Sequence, residues 1–437
     1  MTCECRTYCN VEPCATPLPP VPPTRIPGGQ ITVTDDVFNN KVGVRKARLV
    51  ARRFLKVDRT YTDNNGNYHF TKSFRNKFTL LIKFKNDNAM VNPMLKERGY
   101  QMLFPTKINW GRFRGNVNNI IKNVDDNNDI KKRGSLHWAA ATTHNMVQEY
   151  INDRAPADGI GAPPSGMVII ASNGSGGSAT PMFNKRTAAA VSTTYWKQVL
   201  IPFANLNYSI SDVNLIAAVL TGRADMILKY GANSTTKSSD QMAEVGYHEL
   251  THAAHYNKVG GAWFDQFVRS EVAQIIDNYN GSKSPYGAKT SADAPIIAVG
   301  ESWAYYMGHY LCYRKYGSLA GPFYEQGNPA YTKNWPINNF YSNLNLLEDF
   351  DPAKPSDPFN WIPQGLFYDL LDNRNDNNAT PRRILLDDIV SGYTNQQFFN
   401  ALDADVLTLP AYKTRLLSEN GNSQAAGVTT IFTFYGY

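Results

Sequence analysis

The segment EVGYHELTHAAHY, residues 244–256, concentrates a rare residue: three of the chain's 7 histidines lie within it. Residues four apart share one face of an α-helix, so His248 and His252 would direct two imidazoles at one point. Neutral imidazole nitrogens are common zinc ligands. Glu249 lies about 100° around the helix, where it would reach a metal-bound water without being a ligand. The pattern His-Glu-x-x-His therefore predicts a metal-binding helix.

A catalytic zinc site needs a third protein ligand, and three residues are candidates. His255 lies three residues after His252, and this spacing rotates it roughly 60° away from the helix face that His248 and His252 share. His255 and Lys258 also occupy positions that a metzincin fills with glycine and histidine, which excludes that family. Asp265 lies near the spacing of aspartate-type zincins, without their Gly-Thr-x-Asp signature. Glu301 is the best candidate, since it is the only acid of an apolar helical stretch and a buried carboxylate is costly unless paired or bound to a cation.

These motifs resemble those of the gluzincin metallopeptidases, the thermolysin-like superfamily, over about 130–320. The resemblance rests on HELTHA at 248–253, on Glu-Ser-Trp-Ala at 301–304 and on DMILKYG at 225–231, where the family's edge strand precedes its active-site helix. The chain departs from the family at Tyr305, where thermolysin-like enzymes carry an aspartate that orients a zinc histidine. Its 48 residues between the second histidine and the glutamate also exceed the thermolysin spacing.

The resemblance implies specific roles for four residues. His248, His252 and Glu301 would bind one Zn²⁺, and Glu249 would be the general base that activates water for attack on a peptide carbonyl. The developing oxyanion needs a hydrogen-bond donor. The sequence leaves Tyr305, His309 and other tyrosines open for that role; for His309, packing inside the helix is the simpler interpretation.

The chain before residue 90 has a different periodicity. In KARLVARR (46–53) and KFTLLIKFK (77–85) apolar residues alternate with polar ones, which is typical of half-buried strands. Between them Asn65-Gly66 supplies a tight hairpin turn. TDNNGNYHF (62–70) and GVRKARLVA (43–51) resemble the carboxypeptidase-regulatory-like, transthyretin-type β-sandwich, and the resemblance implies an accessory module of a secreted enzyme.

The order of elements predicts a multidomain chain. We expect a leader and linker rich in cysteine and proline at 1–29, a small all-β sandwich at 30–88 and an α+β zincin domain at 95–437. Within that domain a mixed lobe would extend to about 260 and a helical lobe would follow it. An apolar fraction of 42% is enough to fill such cores, and no apolar run reaches the length of a membrane span.

Cysteine usage indicates the compartment. Cys3, Cys5, Cys9 and Cys14 cluster near the start of the chain, and three disulfide pairings are open. A zinc site of four cysteines is the alternative, although the Cys-x-Cys spacing fits it less well. Cys312 stands alone in a helical pattern, and the simplest interpretation is that it packs as a small buried hydrophobic residue. We expect disulfides and an extracytoplasmic protein, secreted or attached to the cell surface, although no signal peptide is visible.

Positive charge is concentrated in one segment. Residues 41–85 hold thirteen Lys or Arg and two acids, which gives this segment a net charge of +11. The whole chain carries +7, so the remaining residues together are negative. Such a patch suits a polyanion or a cell surface, while a solvated strand face is the simpler alternative. No nucleic-acid-binding motif accompanies it.

Two functions from different classes are open. The first is a secreted zinc metallopeptidase that acts on protein or peptide substrates. The alternative is a non-catalytic binding protein built on a zincin scaffold and acting through its basic β-sandwich. Glu249 favours the enzyme, because a scaffold that only holds metal has no use for a general base.

Overall fold

The computed structural model describes residues 25–94, 108–115, 117–173, 178–186, 224–232, 235–278, 286–319, 361–372 and 390–437. The strands are β1 Gly28–Asp35, β2 Asn40–Gly43, β3 Arg48–Arg53, β4 Lys56–Tyr61, β5 Asn67–His69, β6 Phe78–Lys83, β7 Ala89–Met94, β8 Ile108–Phe113, β9 Ile120–Val124, β10 Met167–Ser172, β11 Met226–Lys229, β12 Gly231–Ala232 and β13 Thr235–Thr236. The helices are α1 Arg133–Glu149, α2 Ala155–Asp158, α3 Ser239–Asn278, α4 Ala294–Tyr316, α5 Leu366–Leu371, α6 Asn395–Asn400, α7 Leu409–Glu419 and α8 Ala425–Phe434, with a π-helical turn at Tyr150–Arg154 and a 3-10 turn at Gly317–Leu319. Both sheets and helices are present, which confirms the α+β expectation at that level. The four N-terminal cysteines and most of the proline-rich linker lie outside the described residues.

The N-terminal strands form two sheets. In the first sheet β1 pairs antiparallel with β2 and β5 and parallel with β9. In the second sheet the order is β4-β3-β6-β8, all antiparallel. The Asn65-Gly66 turn is present, because Gly66 takes a φ of 79° and the Asp63 carboxylate accepts hydrogen bonds from Asn65 N and Asn67 N. The turn leads into β5, which pairs with β1 and lies in a different sheet from β4, so it does not close the predicted hairpin. The strands predicted from alternation are present as β3 and β6.

The sheets do not divide the chain at residue 88. Strands β8 and β9 come from beyond that predicted boundary, yet each completes one of the N-terminal sheets. Between β6 and β8 the chain leaves these sheets, because β7 pairs parallel with β10 in a third sheet of order β11-β10-β7. Strands β8 and β9 carry several exposed or half-buried polar residues, so their alternation is weak in the sequence.

Helix α1 connects the N-terminal sheets to the third sheet. Trp138 Nε1 donates to Thr34 O at 2.8 Å, and the Asn145 side chain bonds Arg45 N and Gly43 O, both at 2.9 Å. Just past its C-terminal end, Tyr150 hydroxyl lies 3.2 Å from the hydroxyl of a threonine on α3. The buried apolar side chains of the sheets and helices form one continuous core.

The turn between β1 and β2 holds one end of each long helix. Ser239 N, at the start of α3, donates to Asp36 Oδ1 at 2.7 Å. Tyr316 hydroxyl, at the end of α4, donates to Asp35 Oδ2 at 2.9 Å. The first free N–H groups of a helix need acceptors, and here a carboxylate from another element supplies one. The N-terminal sheets thus fix where α3 begins.

Gly260 divides helix α3 into two parts. Gly260 breaks the helical geometry, with φ 80° and ψ 179°, and the helix then resumes to Asn278. It resumes because Trp263, Phe264 and Phe267 bury their rings in the core. Among the described residues, no helix is long and apolar enough to cross a membrane.

Candidate metal centre

His248, His252 and Glu301 converge at the contact between α3 and α4. His252 Nε2 lies 3.1 Å from His248 Nε2 and 3.1 Å from Glu301 Oε1, and His248 Nε2 lies 3.5 Å from Glu301 Oε2. One donor atom from each residue falls within 4.8 Å of the others. These three residues therefore form a cluster that can hold a metal ion.

The spacing of the donor atoms fits a small tetrahedral cation. Zinc binds imidazole nitrogen and carboxylate oxygen at about 2.0–2.2 Å, and tetrahedral geometry then places donors about 3.4 Å apart. The distances of 3.1–3.5 Å agree with that value. Two imidazoles and a carboxylate are also the donor set of a catalytic zinc site. The residues present thus fit the group that the motif implies.

The charges around the cluster favour a cation. Burial works to raise the pKa of Glu301, but the two histidines opposite lower it to about 2. Burial lowers the pKa of His248 to about 3, so this imidazole is a neutral ligand at neutral pH. Burial also opposes protonation of His252, yet the facing Glu301 carboxylate raises the pKa of His252 above its ordinary value. A carboxylate that must remain ionised in this site stabilises positive charge beside it.

Close packing of the two helices makes the convergence possible. Gly308 of α4 faces His248, and a Cβ placed on Gly308 would lie 2.9 Å from the histidine Cβ and 3.0 Å from Glu244 O. Such contacts are too short for any other residue without movement of one helix. Glycine at this position therefore lets α4 approach near enough for Glu301 to reach the histidines.

Glu249 lies beside the cluster and outside it. Its carboxylate is 4% exposed, and Thr180 Oγ1 donates to Glu249 Oε2 at 2.6 Å and contacts Glu249 O at 3.0 Å. Thr180 directly follows Ala179, which bridges to β11 at the edge of the third sheet. Burial raises the pKa of Glu249 to about 7, while His252 and the Thr180 hydroxyl work to lower it. The Thr180 hydroxyl holds this carboxylate in one orientation beside the cluster.

The other two candidates for the third ligand have different roles. His255 is buried with its ring centroid 4.4 Å from that of Trp263, and burial lowers the pKa of His255 to about 3. Asp265 forms ion pairs with Arg186 and Arg269. Neither belongs to the metal-binding cluster found among the described residues.

The candidate hydrogen-bond donors lie on α4 and just before it. The Tyr305 ring packs edge-on against His248 with centroids 4.6 Å apart, so a ring contact replaces the carboxylate that the resembled family has here. Tyr305 hydroxyl lies 2.9 Å from the hydroxyl of Tyr286. His309 Nδ1 lies 3.2 Å from Glu244 Oε1, one turn before the motif on α3, and burial lowers the pKa of His309 to about 4, so its imidazole is neutral at neutral pH.

Sequence reasoning missed three residues at the site. Thr180 and Tyr286 lie in segments without a strong periodic pattern, and only tertiary contacts bring them here. Glu271 lies on the second part of α3, where its carboxyl is hydrogen-bonded to that of Glu301. No lone-acid signal marked Glu271, because Asp265, Arg269 and Asp277 lie in the same stretch of the sequence.

The sequence matches no protein-family model and no curated protein.

Proposed function

We propose that this chain is a zinc-dependent metallopeptidase of the gluzincin type, with His248, His252 and Glu301 as the zinc ligands. The observation that carries the proposal is the convergence of these three donors with Glu249 held next to them. A purely structural zinc site is usually closed by four protein ligands, whereas a catalytic site takes three and leaves a position open. Among the described residues, the cluster supplies three.

The proposed reaction is hydrolysis of a peptide bond by water. Zinc in this site would lower the pKa of water toward 7 and polarise the substrate carbonyl. Glu249 would accept the proton of the attacking water and then transfer it to the leaving amine. The Thr180 hydroxyl would hold the Glu249 carboxylate in position through both transfers. Tyr305, whose ring packs against His248 and whose hydroxyl contacts Tyr286, would donate to the developing oxyanion.

The proposal extends to the setting of the enzyme. We infer a transthyretin-type sandwich for the two N-terminal sheets, including β8 and β9, and a zincin arrangement for the third sheet and the chain from α1 onward. We also infer an extracytoplasmic location and protein or peptide substrates. The enclosed general base supports the enzyme over a scaffold that only binds, because a buried carboxylate beside a metal cluster is costly and is explained by catalysis.

The test combines metal content with activity on the full chain. Purified protein is analysed for bound metals and then incubated with a mixture of denatured proteins whose cleavage is followed by mass spectrometry. About one zinc per chain is expected, with hydrolysis that a chelator abolishes and added zinc restores. Stoichiometric zinc without cleavage of any substrate in the mixture would favour the non-catalytic binding protein. Absence of metal affinity would overturn both.

A further inference from the structure

The hairpin between β3 and β4 presents two large apolar side chains to solvent. Its two-residue turn is Phe54-Leu55, and these side chains are 92% and 85% exposed, the highest values among the exposed large hydrophobic residues of the described chain. Isolated apolar residues at a surface are ordinary. Two adjacent ones at the tip of a hairpin, with no neighbour covering them, form a protruding apolar point.

The backbone of this turn makes the choice of phenylalanine unfavourable for folding. Phe54 has a φ of 46°, in the left-handed region. Two-residue hairpin turns place glycine, asparagine or aspartate at such positions, because a bulky residue is strained there. The same chain has Asn65-Gly66 in the tight turn before β5, where glycine takes the positive φ. Phenylalanine at position 54 therefore costs folding stability, and strain of this kind is typical of functional positions.

The tip is surrounded by positive charge. Arg52, Arg53 and Lys56 flank it in the hairpin, and the neighbouring segment 71–77 adds Lys72, Arg75 and Lys77, all exposed. Segment 71–77 is held against the hairpin, because Asp58 Oδ2 accepts hydrogen bonds from Thr71 N and Lys72 N at 2.9 and 2.7 Å.

No exposed acid balances these cations. Asp58 is the only acid in 48–61 and 70–79, and it is buried. Within the described part of the chain, no salt bridge joins any of the six cationic side chains to an acid.

We propose that this hairpin tip binds an anionic lipid bilayer, with Phe54 and Leu55 inserted at the level of the headgroups and the basic side chains against the lipid phosphates. Apolar residues flanked by Lys and Arg are the composition of interfacial membrane-binding elements, where apolar burial and attraction to anionic lipid act together. A sulfated or otherwise anionic glycan would need the charge but not the strained aromatic tip. A protein partner would need a pocket for the tip and a strongly acidic rim, so the observations favour lipid.

The experiment measures binding of the full chain to lipid vesicles by sedimentation. Vesicles of phosphatidylcholine alone are compared with vesicles that also contain about 30 mol% phosphatidylserine, which gives them a strong negative surface potential. The test variant is Phe54→Asn with Leu55→Gly, which installs the preferred turn sequence and should fold at least as well. Ile121→Ser is the matched control, because Ile121 is 61% exposed on the other N-terminal sheet.

The wild-type chain should sediment with the anionic vesicles, weakly with the neutral ones, and less as salt shortens the screening length. The turn variant should lose roughly tenfold or more in partition coefficient, since it cannot bury the two apolar side chains, and the Ile121 variant should retain wild-type binding. Equal binding by the turn variant would overturn the proposal in favour of a purely electrostatic surface. Failure of the wild type to bind anionic vesicles would overturn it in favour of a protein or glycan partner.

Discussion

Removing one hydroxyl should separate positioning of the general base from metal binding. Thr180→Val keeps the shape of the side chain but deletes the donor that lies 2.6 Å from Glu249 Oε2. Hydrogen bonds to charged groups contribute about 1.5–3 kcal/mol, and that range corresponds to a loss of roughly 10- to 150-fold in rate if the contact holds Glu249 in the transition state. The zinc ligands do not touch this hydroxyl, so the metal content should not change.

The assay is steady-state hydrolysis of a peptide substrate, with kcat and KM determined separately. We expect kcat to fall with little change in KM, because the hydroxyl acts on the base and not on substrate binding. Thr180→Ser retains the donor and should recover most of the rate. A valine variant with wild-type kcat, or a serine variant as slow as the valine variant, would refute the positioning role.

Two further predictions concern Glu301, the third proposed zinc ligand, and the ion pairs of Glu149. Glu301→Ala should lose most bound zinc at neutral pH, as measured by metal analysis after dialysis. The control variant Asp265→Asn should retain its zinc. Full zinc occupancy without Glu301 would contradict its assignment as a ligand. Glu149 pairs with Arg154 and Lys315 at 2.6 and 2.7 Å; burial works to raise the pKa of Glu149, but these cations lower it from 4.5 to about 2. The ionised carboxylate thus contributes on the order of 3 kcal/mol above pH 4.5, and the contribution is lost as pH falls from 4.5 toward 2. Denaturant unfolding of Glu149→Gln should show a comparable loss at pH 7 and a flatter pH dependence in that window; a wild-type pH profile would contradict the argument.

Periodic patterns predicted the elements that carry the site. The i, i+4 histidines and the apolar run around Glu301 each indicated a helix, and the structure has helices at Ser239–Asn278 and Ala294–Tyr316. Alternation predicted β3 and β6 in the same way. These signals are local, because helix and strand periodicities depend only on neighbours in the chain.

What the sequence did not predict depends on contacts between distant residues. The carboxylate at the start of α3 comes from Asp36, 203 positions earlier, and no spacing rule connects the two segments. Thr180 reaches Glu249 across 69 positions in the same way. Gly260 breaks α3, and the aromatic residues after it have enough apolar surface to form the second helical part. The Phe54-Leu55 turn has no glycine or asparagine and gave no turn signal at all.

We propose Glu249 as the general base and not as a metal ligand. Glu249→Gln keeps the size of the side chain and its contact with Thr180 but cannot accept a proton, so the most direct measurement is zinc content and peptide turnover on the same preparation. We expect wild-type zinc content together with a turnover rate lower by about 10²- to 10⁴-fold. Loss of zinc in this variant, or turnover at the wild-type rate with zinc retained, would contradict this role of Glu249.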